Sequence, residues 1–229
     1  TGAAALLGLP HDKRLTTRVL AGAGGQLILQ GAGDPTLSAQ PTGAATFYTD
    51  PGRIAELAAQ IKKSGVDVSS VAVDTSAFTG PTMNGNWARA DIAGGDITPI
   101  EALIVDGGRV ADPLDEFSAR TPDPAKVAGR ALAEALGVDF DDDEGITAGT
   151  DAQTVASVRS APLQTRVEDM LRFSDNVLAE TLAVELSVAR GGPATLAAGA
   201  EAVKATLADA GFDVAGVTMD GPPGLSHDH

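Results

Sequence analysis

The chain has no cysteine. A disulfide framework, a thiol nucleophile and a thiolate metal site are excluded together. Aromatic residues are scarce as well, at 3% of the total, with one Trp (Trp87) and one Tyr. Any core must therefore be built from Ala, Val, Leu and Ile. Histidine occurs only as His11, His227 and His229, which do not compose a His-based metal site. Positive charge is in the minority: 16 Lys and Arg stand against 31 Asp and Glu, a formal net charge of −15. That sign argues against nucleic acid and anionic membrane surfaces as main partners. No apolar run reaches the ~18 residues of a membrane span. The start also lacks a basic, apolar, small-residue leader.

What remains is an ordinary globular balance, 229 residues with 43% apolar and 21% charged. That length can bury a sizeable core in one or two domains. Residues 2–9 read as the tail of a helix closed by Pro10. The chain opens on Thr1 inside that helical run, so the expectation is an internal piece of a longer precursor. Residues 15–20 and 26–30 are strand-like and flank a Gly-rich loop, which predicts a hairpin. The following GAGDPTL, residues 31–37, reads as a turn leaving it. A phosphate loop is rejected there, because no Lys-Ser/Thr pair and no strand-loop-helix frame follow.

Residues 51–64 form an amphipathic pattern, with Asp50 as cap, Pro51 at the first position and Gly65 at the stop. Strands are expected over 71–74 and 100–106, the second ending in an Asp-Gly-Gly-Arg turn at 106–109. Between them lies an irregular stretch holding Trp87, with Asp91 and Asp96 flanking Gly94-Gly95. The Pro- and Asp-rich segment 112–124 marks a domain boundary. A helix over 125–136 is capped by Asp123 and stopped by Gly137. Residues 139–144 hold five carboxylates in six positions. They lack the alternation around a Gly turn that Ca²⁺ requires, and read as a solvated acidic loop. A strand over 154–160, a helix over 193–210 and a short strand over 214–219 complete the pattern.

The chain is organised around residues 160–190. Leu163, Val167, Met170 and Leu171 recur at helical spacing, and Val177, Leu178, Leu182, Val184 and Leu186 crowd a second helix. Ser174-Asp175-Asn176 breaks the two. As a bare tripeptide it reads as a helix N-cap, since Ser, Asp and Asn all accept from first-turn N–H groups.

The order strand, S-x-P-L, helix, SDN, AE-x-L helix, together with GAGDPTL and DGPPGLS, resembles the low-molecular-mass class C penicillin-binding proteins. These are D-alanyl-D-alanine carboxypeptidases and endopeptidases. The chain departs from their pattern at Ala32, where a Gly is usual, and at Pro222-Pro223, where one Ser stands. The resemblance implies an α/β (α+β) fold, an antiparallel transpeptidase-like sheet flanked by helices with an inserted β-rich domain. On that basis 1–16 and 122–229 form the partial penicillin-binding domain, and 17–121 the insert.

The same resemblance implies a function. A serine would cleave D-Ala-D-Ala-terminated peptidoglycan stem peptides through an acyl-enzyme, in the cell envelope outside the cytoplasm. No cofactor or metal would be needed, and β-lactams would be inhibitors. Ser174 matches the proton-passing Ser of the S-x-N motif, and Asn176 its amide-binding Asn. No Lys in the chain has a Ser three residues before it, so S-x-x-K is absent, and no K-S/T-G follows Asn176. Lys63-Ser64-Gly65 precedes SDN and reads as a helix end. The expectation is a fragment of an enzyme, itself inactive. A non-catalytic envelope-binding module of the same fold is the alternative, and a serine β-lactamase a third reading.

Overall fold

The computed structural model describes residues 1–143, 145–219, 221 and 225. Gly2–Gly8 forms α1. Thr16–Ala21 (β1) and Gln26–Gln30 (β2) then pair antiparallel, with Val19 opposite Leu29, across a short turn in which Gly24 takes φ 63°. Ile54–Ser64 (α2) leads into Ser70–Asp74 (β3), which runs parallel to β2. A parallel neighbour needs a crossover segment, and α2 supplies it. After Ala90–Gly94 (α3) and Pro124–Leu136 (α4), Asp139–Phe140 (β4) adds a second parallel pairing beside β3. Thr154–Arg159 (β5) returns antiparallel to β1. The strand order is β4-β3-β2-β1-β5. The expected α/β fold with a helix-flanked sheet is present, but the sheet is mixed rather than antiparallel.

Side chains alternate across the sheet and aim one face at the helices, while Ile28 and Ala72 on the opposite face are buried as well. Val19, Leu27, Leu29 and Val71 pack there against Leu57 and Ile61 of α2 and Ala128 and Leu132 of α4. Leu163–Arg172 (α5), Asn176–Ala189 (α6) and Leu196–Asp209 (α7) join α1 in a second core. Leu163, Val167, Leu178, Leu182 and Val203 form its centre, with Ala4 and Ala5 contributed by α1. The expected boundary at 121/122 does not coincide with these cores. Ala128 and Leu132 of α4 and Ala156 and Val158 of β5 lie in the first core, beside residues of 17–121.

Several local expectations are corrected by where backbone groups find partners. Helix α2 starts at Ile54, not at Pro51, because residues 52–54 are tied to Ser38: Ser38 N–H donates to Gly52 O (2.8 Å) and Ile54 N–H to Ser38 O (2.9 Å). Asp123 does not cap α4 with its side chain. Glu101 does so instead, accepting from Ala125 N–H at 3.0 Å. The apolar run 100–106 is buried but is not a strand. Its backbone serves the GAGDPTL turn, with Gly33 N–H on Ala102 O and Asp106 N–H on Leu37 O, both at 2.7 Å. A Cβ at Gly31 would collide with that same Ala102 carbonyl, so the turn requires glycine there. Within GAGDPTL, Asp34 accepts from Thr36 N–H (3.0 Å) and Oγ1 (2.6 Å), a turn stabilised by its own side chain. Residues 214–219 are irregular with one turn at 215–216, not a strand. Leu171 points to solvent, 69% exposed, away from the α5 core face.

Of DGPPGLS, only Gly221 and Leu225 are described; the rest of that motif, with His227 and His229, lies outside the described residues. Among the described residues no helix is long and apolar enough to cross a membrane.

Candidate active site

Helix α5 ends at Arg172 and α6 begins at Asn176, so Phe173, Ser174 and Asp175 make the bend between them. The cap is Asp175: its Oδ1 accepts from Leu178 N–H at 2.9 Å. Ser174 is not the cap. It takes φ 50°, in the left-handed region, and is exposed. Its hydroxyl makes no hydrogen bond among the described residues. Asn176 Nδ2 donates to Asp96 O at 3.0 Å. This leaves its Oδ1 and second amide hydrogen available.

Asp175 is the centre of a buried polar cluster that sequence reasoning missed. Its Oδ2 accepts from Tyr48 Oη at 2.8 Å and from Arg109 Nη2 at 3.4 Å. Arg120 Nη2 lies 3.9 Å from the same oxygen. Arg109 also donates to Tyr48 Oη at 3.1 Å, and its guanidinium carbon lies 3.6 Å from the Phe47 ring centroid. Phe47 in turn packs on Phe173, with ring centroids 4.4 Å apart. Burial first, and then the Asp175 carboxylate, push the Tyr48 phenol well above its usual range, so it stays a donor. Arg120 is fixed by Gly95 O and Gly107 O. The visible signal was the Asp-Gly-Gly-Arg turn. Gly107 takes φ 63°, and a Cβ there would strike Tyr48 Oη. No spacing rule links positions 48, 109 and 175.

Around this cluster is a cleft of about 200 Å³, lined by Asp96, Arg109, Glu116, Phe117, Ser174 and Asn176. On the other side of the bend a cleft of about 190 Å³ is lined by Thr1, Met170, Ser174, Asn176 and Ala179. Ser174 and Asn176 thus border both. One turn further along α6, Glu180 is fully buried and neither carboxylate oxygen has a hydrogen-bond partner. Burial pushes its carboxyl up to about 8. Elsewhere on the helical side, Arg166 pairs with Glu185 at 2.8 Å and Lys13 with the same carboxylate at 3.1 Å. Asp169 accepts from Thr49 N–H (2.7 Å) and Oγ1 (2.9 Å), a second tie between α5 and the 47–50 segment.

The residues expected to be catalytic, Ser174 and Asn176, are therefore adjacent and cleft-facing, while Trp87 is buried with Ile97, Ile100, Ile104 and Val177. The acidic run is partly engaged: Asp141 accepts from Gln26 Nε2 at 2.7 Å and Asp142 pairs with Lys126 at 2.9 Å. Among the described residues no group of three or more His, Asp or Glu could hold a metal ion.

The D-Ala-D-Ala carboxypeptidase 3 (S13) family profile matches residues 1–119 and 111–229. A carboxypeptidase of Mycobacterium tuberculosis is 45% identical over 232 residues, covering 100% of this chain and 50% of the relative. The carboxypeptidase DacB of Mycolicibacterium smegmatis is 45% identical over 235 residues, again covering 100% of this chain and 50% of the relative. The chain thus spans about half the length of these curated relatives. Among solved structures, penicillin binding protein 4 (dacB) from Haemophilus influenzae shares the fold. Its TM-score is 0.74 at 19% identity, over 99% of this chain and 64% of that one.

Proposed function

Since this chain belongs to the D-Ala-D-Ala carboxypeptidase 3 (S13) peptidase family, we propose that it forms the S-x-N side of a serine acyl-transfer site. The substrate is a peptidoglycan stem peptide ending in D-Ala-D-Ala, acted on outside the cytoplasm. The observation that carries this reading is the position of Thr1 beside Ser174 and Asn176 in one cleft. The resemblance puts S-x-x-K a few residues upstream of α1, so a nucleophile there would arrive next to Ser174.

In the proposed reaction that serine attacks the carbonyl between the two D-alanines. An ester forms, the C–N bond breaks and D-alanine leaves, its amine taking the proton released by the nucleophile. Ser174, with a free hydroxyl at the rim of both clefts, carries that proton. Asn176 holds the substrate amide with the groups that Asp96 O leaves free. Water then hydrolyses the ester. β-Lactams would acylate the same nucleophile. We also propose that 16–159 forms a sheet module and α1 with α5, α6 and α7 a helical one, the two joined where Phe47 and Tyr48 enter the helical core and where Val177 packs with Trp87.

The test is a labelled penicillin. Residues 1–229 alone should form no covalent adduct. A longer chain joining them to S-x-x-K and K-S/T-G motifs should form one, located by mass spectrometry on the S-x-x-K serine. An adduct on residues 1–229, or none on the longer chain, would contradict the reading.

A further inference from the structure

The cluster at the α5–α6 bend is larger than a helix cap requires. One oxygen of Asp175 is enough to satisfy Leu178 N–H. The other oxygen gathers Tyr48, Arg109 and Arg120, all of them buried. Removing two guanidinium groups from water is costly unless geometry and further hydrogen bonds compensate. Here both are supplied, by Tyr48 Oη, by the backbone oxygens of Asp106, Gly107 and Gly95, and by the Phe47 face.

What this arrangement leaves free is Ser174. A serine in the left-handed region is strained, and such strain persists only where neighbours over-determine the backbone. The neighbours are specific. Asp175 N–H donates to Met170 O at 3.0 Å. The Asp175 carboxylate is fixed by the cluster, Asn176 is tied to Asp96 O, and Phe173 packs against Phe47 with its ring tilted by 43°. Every group that does the holding outside α5 and α6 comes from residues 47–120.

We infer that Tyr48, Arg109 and Asp175 are positioning residues: they clamp the bend so that Ser174 keeps its left-handed backbone and aims its hydroxyl into the cleft. The inference rests on the reading of Ser174 as the proton carrier. It gives the 16–159 module a direct part in the chemistry of a site whose motif lies on the helices. Gly107 belongs to the same device, because any side chain there would push Tyr48 off Asp175.

The test uses the longer chain carrying all three motifs, with stopped-flow acylation by a fluorescent penicillin and a thermal melt for each variant. Tyr48→Phe removes one hydroxyl from the clamp. It should lower the acylation rate constant about tenfold to hundredfold, the usual result of a misplaced catalytic group. Non-covalent penicillin binding should stay near parental, and the melting temperature should fall by no more than the few degrees that one lost buried hydrogen bond costs, with the fold retained. Arg109→Lys keeps the charge without the planar fork and should lose rate in the same step. Parental rates in Tyr48→Phe and Arg109→Lys, with Ser174→Ala slow, would overturn the inference while leaving the function intact. A parental rate in Ser174→Ala would overturn the proton-carrier reading and this inference with it. A structural readout is independent of rate. In residues 1–229, Asp175→Asn keeps a cap acceptor but loses the charge, and the HN–Hα coupling of Ser174 should move as its φ leaves the left-handed region. An unchanged coupling there would also overturn the inference.

Discussion

Asp175 and Ser174 are adjacent, yet they separate two roles that the S-x-N motif leaves merged. Asp175 caps α6 through Leu178 N–H at 2.9 Å and is buried, whereas Ser174 is exposed at φ 50° and makes no hydrogen bond among the described residues. The helix-cap reading and the proton-carrier reading of SDN are therefore both accommodated, on different residues. Substitutions can address them one at a time.

On stability, Asp175→Ala should be severe and Ser174→Gly beneficial. Losing the cap costs about 1 kcal/mol. Leaving buried guanidinium groups without their carboxylate brings the total to roughly 3–5 kcal/mol. Ser174→Gly relieves a left-handed non-glycine residue and should gain about 0.5–1 kcal/mol, with the greater unfolded-state entropy of glycine subtracted. Urea unfolding of residues 1–229 measures both. A destabilising Ser174→Gly would mean that the serine makes contacts its exposure does not suggest.

Glu180 makes a pH-dependent prediction. Its carboxyl is raised by burial alone from 4.5 to about 8. The folded state therefore binds this proton more tightly than the unfolded state does. The Glu180 contribution is fully present below about 4.5, is lost as pH rises toward 8, and levels off above. A shift of that size corresponds to about 3–5 kcal/mol. Glu180→Gln should match the parent near pH 4 and exceed it increasingly up to pH 8. Parallel stability curves for parent and variant across that range would contradict the buried, unpaired state of the carboxyl.

Gly107→Ala should act at a distance from its own turn. The residue has φ 63°, and its added Cβ would meet Tyr48 Oη. The expected loss is about 1–3 kcal/mol from strain and the displaced hydrogen bond. The Tyr48 ring resonances and the Leu178 amide should shift in the NMR spectrum of the variant. A change confined to residues 105–109 would show that the turn yields without moving Tyr48.

Much of the scaffold was legible because local chemistry and tertiary outcome agree. The hairpin, the strands expected over 71–74 and 154–160 and helices α4, α5 and α6 follow from periodicity and from Gly and Pro punctuation. Where the reading failed, a long-range partner won. Residues 100–106 look like a strand, but the backbone of Ala102 and Asp106 is used by the GAGDPTL turn and that of Ile100 by Thr82 O. Asp123 looks like a cap, but Glu101 reaches the same amide from another segment. Ser174 and Asn176 were visible as a motif. Tyr48, Arg109 and Arg120 were not, because what unites them is a shared carboxylate and not any spacing in the chain.

The two cores should respond independently. Leu132 and Leu182 are both fully buried, the first against the sheet and the second among α1, α5 and α6. Each change to Ala should cost about 2–5 kcal/mol, and the double variant should equal the sum within ~0.5 kcal/mol. A coupling well above that would argue against dividing the chain between its cores.

The most direct measurement concerns Ser174 in the longer chain that carries all three motifs: penicillin acylation kinetics for Ser174→Ala beside its thermal melt. An exposed serine without a hydrogen bond contributes little to stability, so the melt should stay within a few degrees, a ΔΔG of about 1 kcal/mol or less. A proton carrier contributes roughly 10²–10⁴ in rate. The account predicts a loss of that size in acylation with the fold retained. Acylation at the parental rate would contradict it, leaving the SDN bend as a helix junction without a part in the chemistry.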